Sequence, residues 1–149
     1  MLKIYLDNCC YNRPFDDLSQ MKVNDEANAK LYVQHLIKDN VLKLCYSYMS
    51  VAEILDSKIE YNKASILDFI ANVDAEFVGY DKLRVVPLAN AAINTGVKQK
   101  DANHVACAII SGCDYFLTTD RRLLKYKTDG IKIMNPIEFV KIWEEMNNV

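Results

Sequence analysis

Apolar residues fall in two rhythms along this chain. Short runs at residues 2–6, 41–46, 76–79, 115–118 and 131–134 have the length of strands. Between them the apolar positions recur at helical spacing. Ala29, Val33, Leu36 and Ile37 form one stripe, with Asn24 as the expected cap, Asp25 and Glu26 in the first turn and Asn40 closing the helix. Helices are likewise predicted over 48–57 and 62–73, the second turning Ile66, Phe69, Ile70 and Val73 inward. A further helix over 82–94 contains Pro87, which should kink it or mark its true start. One over 101–111 presents Ala102, Val105, Ala106 and Ile109 and stops at Gly112. The last opens at Pro136 behind Asn135, with Phe139, Ile142, Trp143 and Met146 facing inward. The stretch through Asn12-Arg13-Pro14 reads as irregular.

Strands alternating with helices imply right-handed crossovers and a parallel sheet covered on both faces. The strands lack clean in-out alternation, which agrees with burial on both sides. The expected fold is therefore an α/β/α sandwich. A length of 149 residues suits one domain.

That fold gives the acidic residues a meaning. Ligands of open parallel sheets bind beyond the carboxyl ends of the strands. Asp7 and Asp120 stand at two such ends. Glu53 and Asp101 stand near helix starts that open on the same edge. Four converging carboxylates repel one another and must protonate or find a cation. An all-oxygen donor set suits Mg²⁺ or Mn²⁺. Each acid taken alone has a simpler use. Asp7 can end a strand in an Asx-turn, and Ser50-x-x-Glu53 can be a capping box. Asp101 complements a helix dipole, and Asp120 can cap a short helix through Leu123 and Leu124.

Composition narrows the partners. Apolar residues make 51% of the chain and charged residues 26%, ordinary for a globular protein. No leader or membrane-span pattern stands out, and five unevenly spaced cysteines (among them the vicinal Cys9-Cys10) read as reduced cytoplasmic thiols. With two histidines, no zinc spacing emerges. The net charge of −2 argues against binding nucleic acid through bulk positive charge. The balance is uneven, however. Residues 98–127 hold six Lys/Arg and three Asp, a local +3, which leaves −5 elsewhere.

The segments Ile4-Tyr5-Leu6-Asp7, Ser50-Val51-Ala52-Glu53-Ile54, Lys100-Asp101-Ala102-Asn103-His104-Val105-Ala106 and Asp114-Tyr115-Phe116-Leu117-Thr118-Thr119-Asp120 together resemble the PIN-domain family. The resemblance spans essentially the whole chain. It rests most on D-x-x-H-x-A followed by D-Y-F-L-T-T-D. It implies a PIN-like three-layer α/β/α sandwich and metal-dependent endoribonuclease chemistry, as in the VapC-like toxins held inactive by a cognate antitoxin. Asp7, Glu53, Asp101 and Asp120 would then be the catalytic and Mg²⁺- or Mn²⁺-binding residues, with Thr118 in support. Family members often carry Thr or Ser after the first Asp; here Asn8 stands there and can hydrogen-bond a bound water or a neighbouring carboxylate. His104 shares a helical face with Asp101 and is expected to make a structural hydrogen bond. A homodimer is implied as well.

Arg13, Lys100, Arg121 and Arg122 are the expected RNA contacts, because they bracket the acids. Tyr11, Tyr46 and Tyr48 can stack bases or pack. Other chemistries fit poorly. A dehalogenase-type phosphatase needs an Asp where Cys9 stands, and neither a P-loop nor a Gly-x-Ser-x-Gly elbow is present. A receiver domain lacks its acidic pair. The alternative of another class is a non-catalytic PIN-like module that binds RNA or protein.

Overall fold

A computed structural model describes residues 1–148. The strands are β1 (Lys3–Leu6), β2 (Lys43–Ser47), β3 (Ala75–Val78), β4 (Tyr115–Leu117) and β5 (Lys132–Met134). All pair in parallel, in the order β3-β2-β1-β4-β5. The helices are α1 (Asn8–Asn12), α2 (Met21–Lys38), α3 (Tyr48–Leu55), α4 (Glu60–Ala71), α5 (Lys82–Ile93), α6 (Gln99–Ile110) and α7 (Pro136–Met146).

Successive side chains of a strand point to opposite faces, so each strand feeds two cores. Ile4, Leu6, Leu44 and Leu117 join Val33, Ile37, Phe69 and Phe139 from α2, α4 and α7. Tyr5, Cys45, Phe116 and Ile133 join Val85, Ala89, Ala102 and Val105 from α5 and α6. The result is the three-layer α/β/α sandwich that the alternating pattern predicts. The chain reverses its direction of travel across the sheet at β1, between β2 and β4. The carboxyl ends of β1 and β4 therefore flank the crevice where such sheets take ligands.

Several local expectations change. The segment after Asp7 is helical, through α1 and a 3-10 turn at Arg13–Phe15. Helix α2 begins a turn before Asn24, whose N–H bonds Gln20 O at 2.9 Å, so Asn24 is inside the helix. Glu26 does not serve the helix dipole at the surface. It is 3% exposed, and its carboxylate faces Arg13 Nε at 3.3 Å and accepts from Asn135 Nδ2. Helix α5 starts at Lys82, so Pro87 lies in its interior. The carbonyl of Leu83 loses its helical donor there, and that residue is largely exposed, so water can replace it. Met146 is exposed. Asn40 takes a left-handed conformation (φ 59°) just past α2, one of the few non-glycine types suited to it. Asn135 caps α7, accepting from Ile137 N at 2.9 Å. No described helix is long and apolar enough to cross a membrane.

Candidate metal centre and its hydrogen-bonded support

The four acids line one open cavity of about 380 Å³ at the carboxyl edge of the sheet. Asp7 reaches it from the end of β1. Its backbone N–H continues the ladder to Leu117 O at 3.0 Å, and its side chain then caps α1. Oδ1 accepts from Asn8 N at 2.8 Å, and Oδ2 accepts from Thr118 Oγ1 at 2.9 Å. The Thr118 hydroxyl also accepts from Asp120 N at 3.1 Å, so one buried oxygen ties together the acids at the ends of β1 and β4. Asn8 serves Asp7 through its backbone N–H rather than its side chain, whose oxygen instead accepts from Asn12 Nδ2 at 3.2 Å.

Glu53 is not part of a capping box. Ser47 caps α3 and Ser50 completes the box, accepting from Ser47 N at 3.1 Å. This leaves Glu53 free on the second turn, facing the cavity. There His104 fixes it, with Nε2 at 2.7 Å from Glu53 Oε1. A carboxylate offers lone pairs only, so Nε2 carries the proton. Nδ1 lies 2.6 Å from the Tyr5 hydroxyl, which is 2.7 Å from Ser47 Oγ and 3.0 Å from Ser50 Oγ. Burial holds the Tyr5 phenol well above its ordinary pKa, so it remains a donor. Tyr5 O–H then donates to Nδ1 and accepts from both serines. The relay runs from β1 through α6 to α3 and sets the rotamer of Glu53.

Tyr5 and Ser47 were not singled out from sequence. Tyr5 reads as an ordinary strand aromatic, and only the three-residue offset of His104 from Asp101 hints at the relay. Tyr5→Phe removes a hydroxyl with three buried polar partners. It should cost about 1–3 kcal/mol in urea unfolding. A loss below about 0.5 kcal/mol, within the range of ordinary surface substitutions, would mean the relay carries no stability.

Asp101 lies in the first turn of α6. Burial first, then repulsion from Asp7 and Asp120, pushes its carboxyl up to about 6. Asp120 accepts from Arg122 N at 2.8 Å and Leu123 N at 3.4 Å, the cap-like arrangement its position suggests. The acids are not equally close. Donor atoms of Asp7, Glu53 and His104 all lie within 4.8 Å of one another, whereas Asp101 and Asp120 border the cavity outside that group. His104 is bonded at both ring nitrogens and is nearly fully buried. With His104 engaged, the groups that Asp7, Glu53, Asp101 and Asp120 bring to the cavity are carboxylate oxygens, and these suit a hard divalent cation. Cys9, also missed from sequence as a site residue, lines the cavity with its sulfur 3.4 Å from Asp7 Oδ2.

The expected RNA contacts divide. Arg13 borders the acid cavity, but its guanidinium is engaged within the protein. Nη1 meets Asp16 at 2.8 Å, Nη2 donates to Thr119 Oγ1 at 2.8 Å, and Nε faces Glu26. It braces the segment behind Asp7 instead of standing free for phosphate. Arg122 lines a second cavity beside the acids, whereas Lys100 and Arg121 are exposed and line neither. Tyr11 is buried, and Tyr46 and Tyr48 pack edgewise or tilted on Phe77 and Tyr80. No protein-family model matches the chain, and no curated protein matches it.

Proposed function

We propose that this chain is a PIN-like, Mg²⁺- or Mn²⁺-dependent endoribonuclease that hydrolyses RNA phosphodiester bonds. The observation that carries the reading is the convergence of Asp7, Glu53, Asp101 and Asp120 on one cavity, where burial first and then its acidic neighbours raise the Asp101 carboxyl. Acids so placed gain most when positive charge arrives. A bound divalent cation would polarise the phosphate and acidify a water.

The protein's own groups do the rest. Asp7 is held by Asn8 N–H and the Thr118 hydroxyl, so its orientation is set before any ligand binds. Glu53 Oε1 is pinned by His104, while Oε2 has no hydrogen-bond partner among the described residues. Oε2 would accept the proton of the attacking water, and the His104–Tyr5 relay would keep it aimed. Asp101 and Asp120 complete the donor set. By the same resemblance, the chain would be the toxin of a toxin–antitoxin pair in the cytoplasm, with a cognate antitoxin and a homodimeric assembly.

The test is cleavage of end-labelled RNA by the purified chain with Mn²⁺ or Mg²⁺. Cleavage should stop with EDTA and fall at least about a hundredfold in Asp7→Asn. Cleavage that ignores both changes would sink the reading. A second reading, a non-catalytic RNA- or protein-binding module, draws on the caps made by Asp7 and Asp120, since both carboxylates already have local work. It expects no cleavage with any metal, and binding that survives Asp7→Asn.

A further inference from the structure

A recess of about 170 Å³ opens between α2 and α4, beside α1 and the 3-10 turn at Arg13–Phe15. It shares no lining residue with the acid cavity. Most of its wall is hydrocarbon, from Pro14, Phe15, Leu31, Ile66 and Phe69. Two polar groups in that wall lack the partners that burial demands. Lys30 is 5% exposed, and its Nζ stands 5.8 Å from the centre of the Tyr11 ring and 5.7 Å from that of Phe69. It donates to Gln34 Oε1, but no carboxylate among the described residues lies within 4.0 Å. Buried ammonium groups are ordinarily paired with an anion. The Tyr11 hydroxyl is buried too, and it has no hydrogen-bond partner among the described residues. Such orphaned polar groups are few in folded proteins.

We propose that this recess binds a small organic acid, its carboxylate between the Lys30 ammonium and the Tyr11 hydroxyl and its apolar body against Ile66 and Phe69. A carboxylate has lone pairs enough to accept from both donors at once. Burial lowers the Lys30 pKa to about 8, so the ammonium still carries its charge at pH 7. Lys38, 5.8 Å from the centre of the same Phe69 ring, adds to the positive field without lining the recess. Lys30 is the one cation in the wall among the described residues, which suits a monoanion. Phosphate would bring more charge than that wall can balance and nothing apolar to fill it. The volume is about half of what the smallest drug-sized ligands need, which points to a short or single-ring monocarboxylate. The site is separate from the nuclease reading, and testing it involves no RNA.

The test is calorimetric titration of sodium benzoate into the full chain at pH 7 and constant ionic strength. Saturable binding is expected, with a dissociation constant of about 1 mM or below. Benzamide, of the same shape without the charge, should bind at least about tenfold more weakly. Inorganic phosphate at the same concentrations should give no saturable heat. Lys30→Met keeps the aliphatic stem and should weaken benzoate at least about tenfold. Tyr11→Phe keeps the ring and should weaken it about fivefold. Should one variant fail to fold, the other decides together with benzamide. No saturable heat with benzoate, or equal binding by the parent and the variants, would overturn the proposal. Benzamide that binds as tightly as benzoate would also overturn it, because an apolar hole alone would then explain the binding. Phosphate that binds as tightly as benzoate would replace the organic acid with a bare anion.

Discussion

Replacing Asp101 with Asn should stabilise the metal-free protein while removing at least about two orders of magnitude of RNA cleavage. The two effects share one cause. The Asp101 carboxyl is raised from its ordinary range to about 6 by burial and by Asp7 and Asp120. The folded state therefore holds that proton more tightly than the unfolded state. Its contribution to stability is present below about pH 4 and is lost as pH rises through about 6. A shift of this size corresponds to roughly 3 kcal/mol, reduced to about 1–2 kcal/mol by solvent at the open cavity. Asp101→Asn carries no such charge. It should gain that stability above pH 6, with the gap closing towards pH 4, in urea titrations with EDTA. Saturating Mn²⁺ should reverse the order, because an ion at a hundred times its dissociation constant adds about 2.7 kcal/mol to the parent protein alone. A variant less stable than the parent in EDTA at pH 7 would mean that the acids do not strain one another.

The second large effect lies away from the cavity. Lys30 is 5% exposed on α2, and its ammonium meets Gln34 Oε1 and the rings of Tyr11 and Phe69. Among the described residues no carboxylate lies within 4.0 Å of it. Burial lowers its pKa to about 8. The unfolded state then binds the proton more tightly, so stability gained at this site rises as pH climbs from about 8 to about 10.5. Lys30→Met keeps the aliphatic stem and discards the buried charge. The shift is worth about 3 kcal/mol at neutral pH, offset in part by the lost hydrogen bond and ring contacts. A net gain of about 1–2 kcal/mol is expected at pH 7, shrinking towards pH 10.5. A loss of stability at pH 7 would show that the ring contacts outweigh desolvation.

Much of the fold was readable because its strands and helices keep separate periods. Five strands and the main helices fall where the apolar rhythm changes. What was hidden has a common character. Glu26 and Lys30 are charged residues on the buried face of α2, and nothing local says that Arg13 or two aromatic rings lie opposite them. The helix after Asp7 carries no apolar stripe of its own, since its five residues are too few for one. In the site, the four acids were visible because the ends of strands and the starts of helices are predictable, but their unequal spacing was not. The relay from Tyr5 through His104 to Glu53 joins residues 99 and 51 positions apart, so it exists only once three elements pack. The same holds for the second cavity, whose walls come from the Thr95–Lys98 turn, the start of α6 and the segment from Asp120 to Lys127.

The central claim is that these acids hold a divalent cation, and calorimetric titration of Mn²⁺ into the metal-free protein tests it most directly. Saturable binding is expected in the parent, and its loss in Asp7→Asn. No saturable heat in the parent, or equal binding by both proteins, would contradict it.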